Sequence, residues 1–101
     1  PPNLAPIKVA VFPLLKNKPE LVAKAKEIYA ELRKDFMVAW DDRGNIGKRY
    51  YSQDEIGTPY CVVIDFDTLE GDTKDTVTVR HRDTTQQERL DIGELQNRLK
   101  S

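Results

Sequence analysis

An α/β domain with a mixed sheet between helices is the fold class that this sequence predicts, and three observations predict it. Three apolar, β-branched runs (Ile7 to Phe12, Phe36 to Trp40 and Tyr60 to Ile64) alternate with two segments of helical periodicity. The third run is apolar at every position, as a strand covered on both faces should be. After it the pattern changes to strict alternation, Thr76-Val77-Thr78-Val79-Arg80-His81-Arg82, which suits a half-buried edge strand. The order βαβαβ followed by ββα implies a mixed sheet with right-handed crossovers in its parallel part.

Each element has its own signal. Pro1, Pro2 and Pro6 stiffen the start, and residues 1–6 read as a linker arriving from an upstream domain, with the domain proper over 7–101. Ile7 to Phe12 is the first strand, closed by Pro13. Pro19 suits a first helical turn, and Leu21, Ala25, Ile28 and Leu32 then recur at helical spacing, so 19–34 is an amphipathic helix. Phe36 to Trp40 is a second strand, ended by the turn cluster Asp41-Asp42-Arg43-Gly44. Ile46 with Tyr50, and Ser52 with Ile56, pair at i,i+4 before Gly57 and Pro59, which places a helix over roughly 46–56. Tyr60 to Ile64 is the central strand, 76–82 the edge strand and Gln87 to Ile92 a further short strand. Glu94 to Lys100, carrying Leu95 and Leu99, is the last helix.

Composition narrows the function classes. A chain of 101 residues is one domain with a single core. Sixteen Lys and Arg stand against seventeen Asp and Glu, so affinity cannot rest on a broad basic surface gripping duplex phosphates, and any nucleic-acid contact must be local. Cys61 is the single cysteine, which excludes a disulfide framework and a cysteine-based metal site. No stretch approaches the ~20 apolar residues of a membrane span, and the N-terminus lacks a basic region followed by an apolar one, so no membrane partner and a cytoplasmic location are expected.

Several constellations carry polar chemistry. Gly44-Asn45-Ile46-Gly47-Lys48-Arg49 is a glycine-bearing turn opening a helix, similar to a phosphate cradle but matching neither the dinucleotide nor the nucleotide-binding fingerprint; a turn at Gly44 and close packing at Gly47 are the better explanation of its glycines. Asp65 and Asp67, with Asp72 and Asp75 nearby, offer hard oxygen ligands for Mg²⁺, yet no positioned base or nucleophile accompanies them, and no metal site is assigned. His81, the only histidine, shares a strand face with Val77 and Val79 and reads as packed, without a nucleophile beside it; no catalytic residue is assigned. Tyr50 and Tyr51 offer stacking faces, with helix packing and surface exposure as the plainer alternatives. The remaining set is Asp65, Asp67 and Thr68 at the end of the central strand with Arg80 and Arg82 on one face of the edge strand. Acceptors and donors would converge there beyond the strand ends, either as a reading site or as a surface cluster of ion pairs.

Two stretches add a family resemblance. Leu4-Ala5-Pro6-Ile7-Lys8-Val9-Ala10-Val11-Phe12-Pro13-Leu14 resembles the linker and first strand of the C-terminal anticodon-binding domain of glycyl-tRNA synthetases. Asp41-Asp42 through Gly44-Asn45-Ile46-Gly47-Lys48-Arg49-Tyr50 to Asp54-Glu55-Ile56-Gly57-Thr58-Pro59 resembles the same family's second helix, a signature shared more loosely with threonyl-, prolyl- and histidyl-tRNA synthetases. Asp65-Phe66-Asp67-Thr68 and Thr76 to Thr84 favour the glycyl member. The resemblance implies the class IIa anticodon-binding fold, a five-stranded mixed sheet flanked by three helices, and a partner in the anticodon loop of tRNA(Gly). It implies a parent ligase, a homodimer that joins glycine to tRNA with ATP and Mg²⁺, from which this chain would be an isolated, monomeric piece. No Phe-Arg-x-Glu element and no glycine-rich motif ending in Arg occurs, so ATP, Mg²⁺ and glycine sites fall on no residue here. Glycine anticodons carry two cytosines, whose amino donor and ring acceptors would be complemented by a carboxylate and an arginine. Asp65, Asp67, Thr68, Arg80 and Arg82 are then the expected base readers, with Lys48 and Arg49 on flanking phosphates. The alternatives are a related accessory nucleic-acid or protein-interaction domain, since a mitochondrial DNA polymerase accessory subunit reuses the fold, and a metal-dependent phosphohydrolase built on Asp65 and Asp67.

Overall fold

Nine elements follow one another in the computed structural model, which describes residues 7–100. They are β1 (Val9–Pro13), α1 (Pro19–Leu32), β2 (Val38–Trp40), α2 (Ile46–Ile56), β3 (Tyr60–Ile64), α3 (Phe66–Leu69), β4 (Thr76–His81), β5 (Gln87–Asp91) and α4 (Ile92–Lys100). The expected linker, residues 1–6, lies outside the described residues. The strands form one sheet in the order β2-β1-β3-β4-β5. β1 pairs with β2 and with β3 in parallel, while β4 runs antiparallel to β3 and β5 antiparallel to β4. The predicted five-stranded mixed sheet is therefore present.

Alternation along the strands sorts the core into two layers. On one face Val9, Val11, Val62, Ile64, Val77 and Val79 meet Leu21, Ala25, Ile28 and Leu32 of α1 and Leu95 and Leu99 of α4, all twelve buried. On the other face only Ala10, Phe12, Cys61 and Val63 are buried, with Ile46 and Tyr50 of α2 packed against them. Each fully buried Leu or Val contributes on the order of 1.5–3 kcal/mol, so the first face holds most of the stabilising burial. Burial pushes the Cys61 thiol up to about 12, leaving it uncharged and unreactive.

Boundaries shift where local hydrogen bonds compete with the apolar pattern. α1 ends at Leu32 rather than residue 34, where the Lys34 and Asp35 N–H groups bond to the Glu31 and Leu32 carbonyls three residues back and tighten the chain into a turn, leaving Phe36 outside β2. α4 begins at Ile92, two residues before the expected start, where the Asp91 carboxylate accepts from the Gly93 N–H at 2.8 Å. α2 ends as predicted at Ile56: Gly57 takes φ +82°, a left-handed conformation that favours a residue without Cβ. The helices number four among the described residues rather than three, because Asp65-Phe66-Asp67-Thr68 leaves the strand and coils. Asp65 is the N-cap of α3, its carboxylate accepting from the Thr68 N–H while the Thr68 hydroxyl accepts from the Asp65 N–H. That reciprocal pair makes a helical turn where an extended strand end was expected. Among the described residues no helix is long and apolar enough to cross a membrane.

Candidate nucleic-acid interface

α2 covers the β1 and β3 part of its sheet face and leaves the β4 and β5 part polar. Register sets what lies there: Cys61 opposes Arg80, Val63 opposes Thr78, and across the next ladder Arg80 opposes Gln87, Thr78 opposes Arg89 and Thr76 opposes Asp91. Thr76, Thr78, Arg80, Gln87 and Arg89 thus share the face that α2 borders. Gln87 and Arg89 are exposed.

Each arginine on this face is fixed by a carboxylate. Arg80 gives Nη1 to Asp54 Oδ1 at 2.8 Å and Nη2 to Asp54 Oδ2 at 3.0 Å. Its guanidinium carbon lies 4.6 Å from the centre of the Tyr50 ring, a stacked cation–π arrangement. Tyr50 and Asp54 stand four apart on α2, so both turn toward the sheet. Burial raises the Tyr50 phenol and the hydrogen bonds that Arg80 donates to Asp54 raise Arg80, so phenol and guanidinium both stay protonated. Arg89 gives Nη1 to Asp65 Oδ2 and Nη2 to Asp65 Oδ1, both at 2.7 Å. Those bonds hold the Asp65 carboxyl below the usual carboxylate range.

The expected convergence of Asp65 and Asp67 with Arg80 and Arg82 does not occur. β4 is antiparallel to β3, so the last residues of β4 lie beside the first of β3: Arg80 opposes Cys61, and the Arg82 N–H reaches the Pro59 carbonyl. Asp65 lies four residues beyond Cys61, roughly 13 Å away at about 3.3 Å per residue. The partners found are Asp54 for Arg80 and Arg89 for Asp65, and the sequence reading assigned neither. Alternation in Gln87-Glu88-Arg89-Leu90-Asp91 marks Arg89 as outward-facing, but only the register with Thr78 brings it to Asp65.

Three further assignments are corrected. Thr68 is fully buried and committed to the cap of α3, so it cannot meet a base. Arg49 is 3% exposed and donates to the carbonyls of Pro13, Leu14 and Gly44, so it ties β1 to the loop before α2 rather than facing a phosphate. Asp67 is exposed on α3, not in line with Asp65 along a strand. Arg82 is partly exposed beyond β4 with Asp83 at 3.0 Å, and Lys48 is exposed in the first turn of α2. His81 is packed as expected, its ring edge-on to Tyr60 and its Nε2 against Glu88. Tyr50 packs on Phe12, and Tyr51 is 65% exposed. Both Asp65 oxygens face a guanidinium, a poor start for a cation site; the described residues contain no group of three or more His, Cys, Asp or Glu able to hold a metal.

Comparison with known proteins is consistent with an RNA-facing surface. The family model described as "Anticodon binding domain" matches residues 8–101. The chain is 53% identical over 100 residues to a glycine–tRNA ligase of Clostridium beijerinckii, covering 99% of this chain and 20% of that protein. It is 51% identical over 100 residues to one of Streptomyces coelicolor, covering 99% and 21%. It thus spans about a fifth of the length of these curated relatives. Among solved structures, the RNA binding domain of threonyl-tRNA synthetase from Cryptosporidium parvum Iowa II superimposes with a TM-score of 0.80 at 26% identity, over 95% of this chain and 23% of that one. With a sheet of this order and a match across nearly every residue, the chain belongs to the anticodon binding domain family, in the form carried by glycine–tRNA ligases.

Proposed function

We propose that the chain recognises the anticodon loop of a glycine tRNA through the polar part of the sheet face beside α2, as one domain of a longer, cytoplasmic ligase. The observation that carries the reading is the pair of guanidinium groups, Arg80 and Arg89, each held in one orientation by a carboxylate, Arg80 largely covered by the Tyr50 ring and Arg89 on the open β5 side of the face. Unpaired loop bases are read by edge hydrogen bonds and by stacking on flat side chains, which needs fixed groups rather than a large positive charge. A chain with sixteen basic and seventeen acidic residues meets that requirement. Asp67 and Arg82 would supply an acceptor and a donor for base edges, and Lys48, exposed in the first turn of α2, would hold a backbone phosphate and set register without reading sequence. ATP, Mg²⁺ and glycine are handled elsewhere in the longer protein.

Fluorescence anisotropy with a glycine-type anticodon stem-loop, and with either cytosine changed to uracil, tests the reading. The wild-type chain binds the cytosine form more tightly, and Arg80→Ala costs about 1–3 kcal/mol of binding while relaxing discrimination at one position. Equal binding of the cytosine and uracil forms by the wild-type chain would sink it.

A further inference from the structure

Arg89 has no hydrogen-bond donor left to give. A guanidinium carries five N–H groups, and all five are engaged: Nε with the Thr76 hydroxyl at 2.7 Å, Nη1 with Asp65 Oδ2 at 2.7 Å and the Thr78 hydroxyl at 3.1 Å, Nη2 with Asp65 Oδ1 at 2.7 Å and the Thr76 carbonyl at 3.2 Å. The anchor is itself fixed, because Asp65 is the cap of α3 and its Oδ1 also accepts from the Thr68 N–H and hydroxyl. Yet the Arg89 side chain keeps 29% of its surface exposed. With every N–H in its plane taken, what the guanidinium can still offer a ligand is its flat, positively charged face rather than an edge.

We propose that Arg89 is a stacking platform for one unpaired base, a role distinct from reading a base edge or gripping a phosphate. This rests on the anticodon-loop reading and deepens it by assigning a chemical task to a residue of that face. A plane pinned along its whole rim loses little freedom when a base lies on it, and stacking accepts any base because every base has a π face. Edge reading then falls to groups with unused donors, among them Arg80, whose bonds to Asp54 engage only its two terminal nitrogens. A lysine at this position would keep the charge and the attraction to Asp65 but would present no plane.

The test uses the 101-residue chain and anticodon stem-loop RNAs carrying 2-aminopurine at one loop position at a time. With the wild-type protein, fluorescence at one loop position is quenched on binding. Arg89→Lys abolishes that quenching and weakens binding on the order of tenfold, with the log–log salt slope unchanged because charge and phosphate contacts are kept. Arg89→Tyr, which restores a flat face without the charge, recovers the quenching. Thermal melts of both variants establish that they are folded under the binding conditions. Quenching and affinity retained by Arg89→Lys would overturn the proposal, as would loss of quenching in Arg89→Tyr that Arg89→Lys does not share, since charge rather than a plane would then be what counts. A wild-type chain that prefers cytosine, with quenching indifferent to both variants, overturns the platform alone. A wild-type chain that binds no stem-loop overturns the anticodon reading as well.

Discussion

The two faces of the sheet are built from the same strands but by opposite rules. On the face under α1 and α4, twelve buried apolar residues pack together. On the face beside α2, four buried residues hold the helix in place, and the sheet then turns polar, with Arg80 and Arg89 fixed by Asp54 and Asp65. One face stabilises the fold and the other presents oriented groups. Buried charge has a third place between them: Arg49, carrying the same side chain as Arg80 and Arg89, is sunk under the end of β1 and donates to three carbonyls. Burial and partner, not residue type, decide which arginines tie loops to the core and which lie on the polar sheet face.

The largest effect that would sharpen this contrast comes from the first face. Leu95→Ala or Leu99→Ala should cost about 2–5 kcal/mol of stability, as buried leucines do when a cavity replaces them. Urea unfolding reads this, and RNA affinity should stay at the wild-type value under conditions where the variant is folded. A smaller loss with altered RNA specificity would break the division of labour between the faces.

Arg49→Met comes next. It removes a buried charge together with three contacts, leaving the Pro13, Leu14 and Gly44 carbonyls to find other partners, at a cost of about 1–3 kcal/mol in stability. If Arg49 gripped a phosphate, the salt slope of RNA binding would also fall by about 0.7; it should not change. Salt titration of the folded variant decides between the two.

Asp65 gives a smaller, pH-dependent effect. The hydrogen bonds from Arg89 hold its folded carboxyl below the ordinary value of about 3.9. The stability this contributes is therefore fully present above that ordinary value and is lost as pH falls through the lower folded value. The pair is partly open to solvent, so the contribution stays under about 1 kcal/mol. Asp65→Asn should flatten this part of the acid stability curve while keeping α3 capped, since Asn caps as well as Asp. An unaltered acid limb, followed by circular dichroism from neutral pH downward, would show that the ion pair contributes nothing to folding. Smallest of all is Lys48→Ala, which should leave stability within about 0.5 kcal/mol, weaken every stem-loop alike and reduce the salt slope by about 0.7.

The elements were legible in the sequence because their signals are local. Ile7 to Phe12 and Tyr60 to Ile64 declare strands by composition, Leu21, Ala25, Ile28 and Leu32 declare a helix by spacing, and Gly57 with Pro59 marks where α2 must stop. The short helix α3 was missed although its capping pair, Asp65 and Thr68, was in plain view, because four residues are too few to show helical periodicity. The alternation of 76–81 put Thr78 and Arg80 on their correct common face, while Arg82 falls just beyond the strand; alternation in any case carries no direction.

What the sequence determined by itself is therefore the α/β architecture, the family and the residue types available to a reading face, since all three follow from patterns within a few residues of one another. What only the tertiary structure decided is which of those residues meet. The antiparallel return of β4 sends Arg80 to Asp54 at one end of β3 and brings Arg89, across the ladder from Thr78, to Asp65 at the other. Strand direction and register are properties of the assembled sheet, settled by which apolar faces can be buried together, and no single segment encodes them alone.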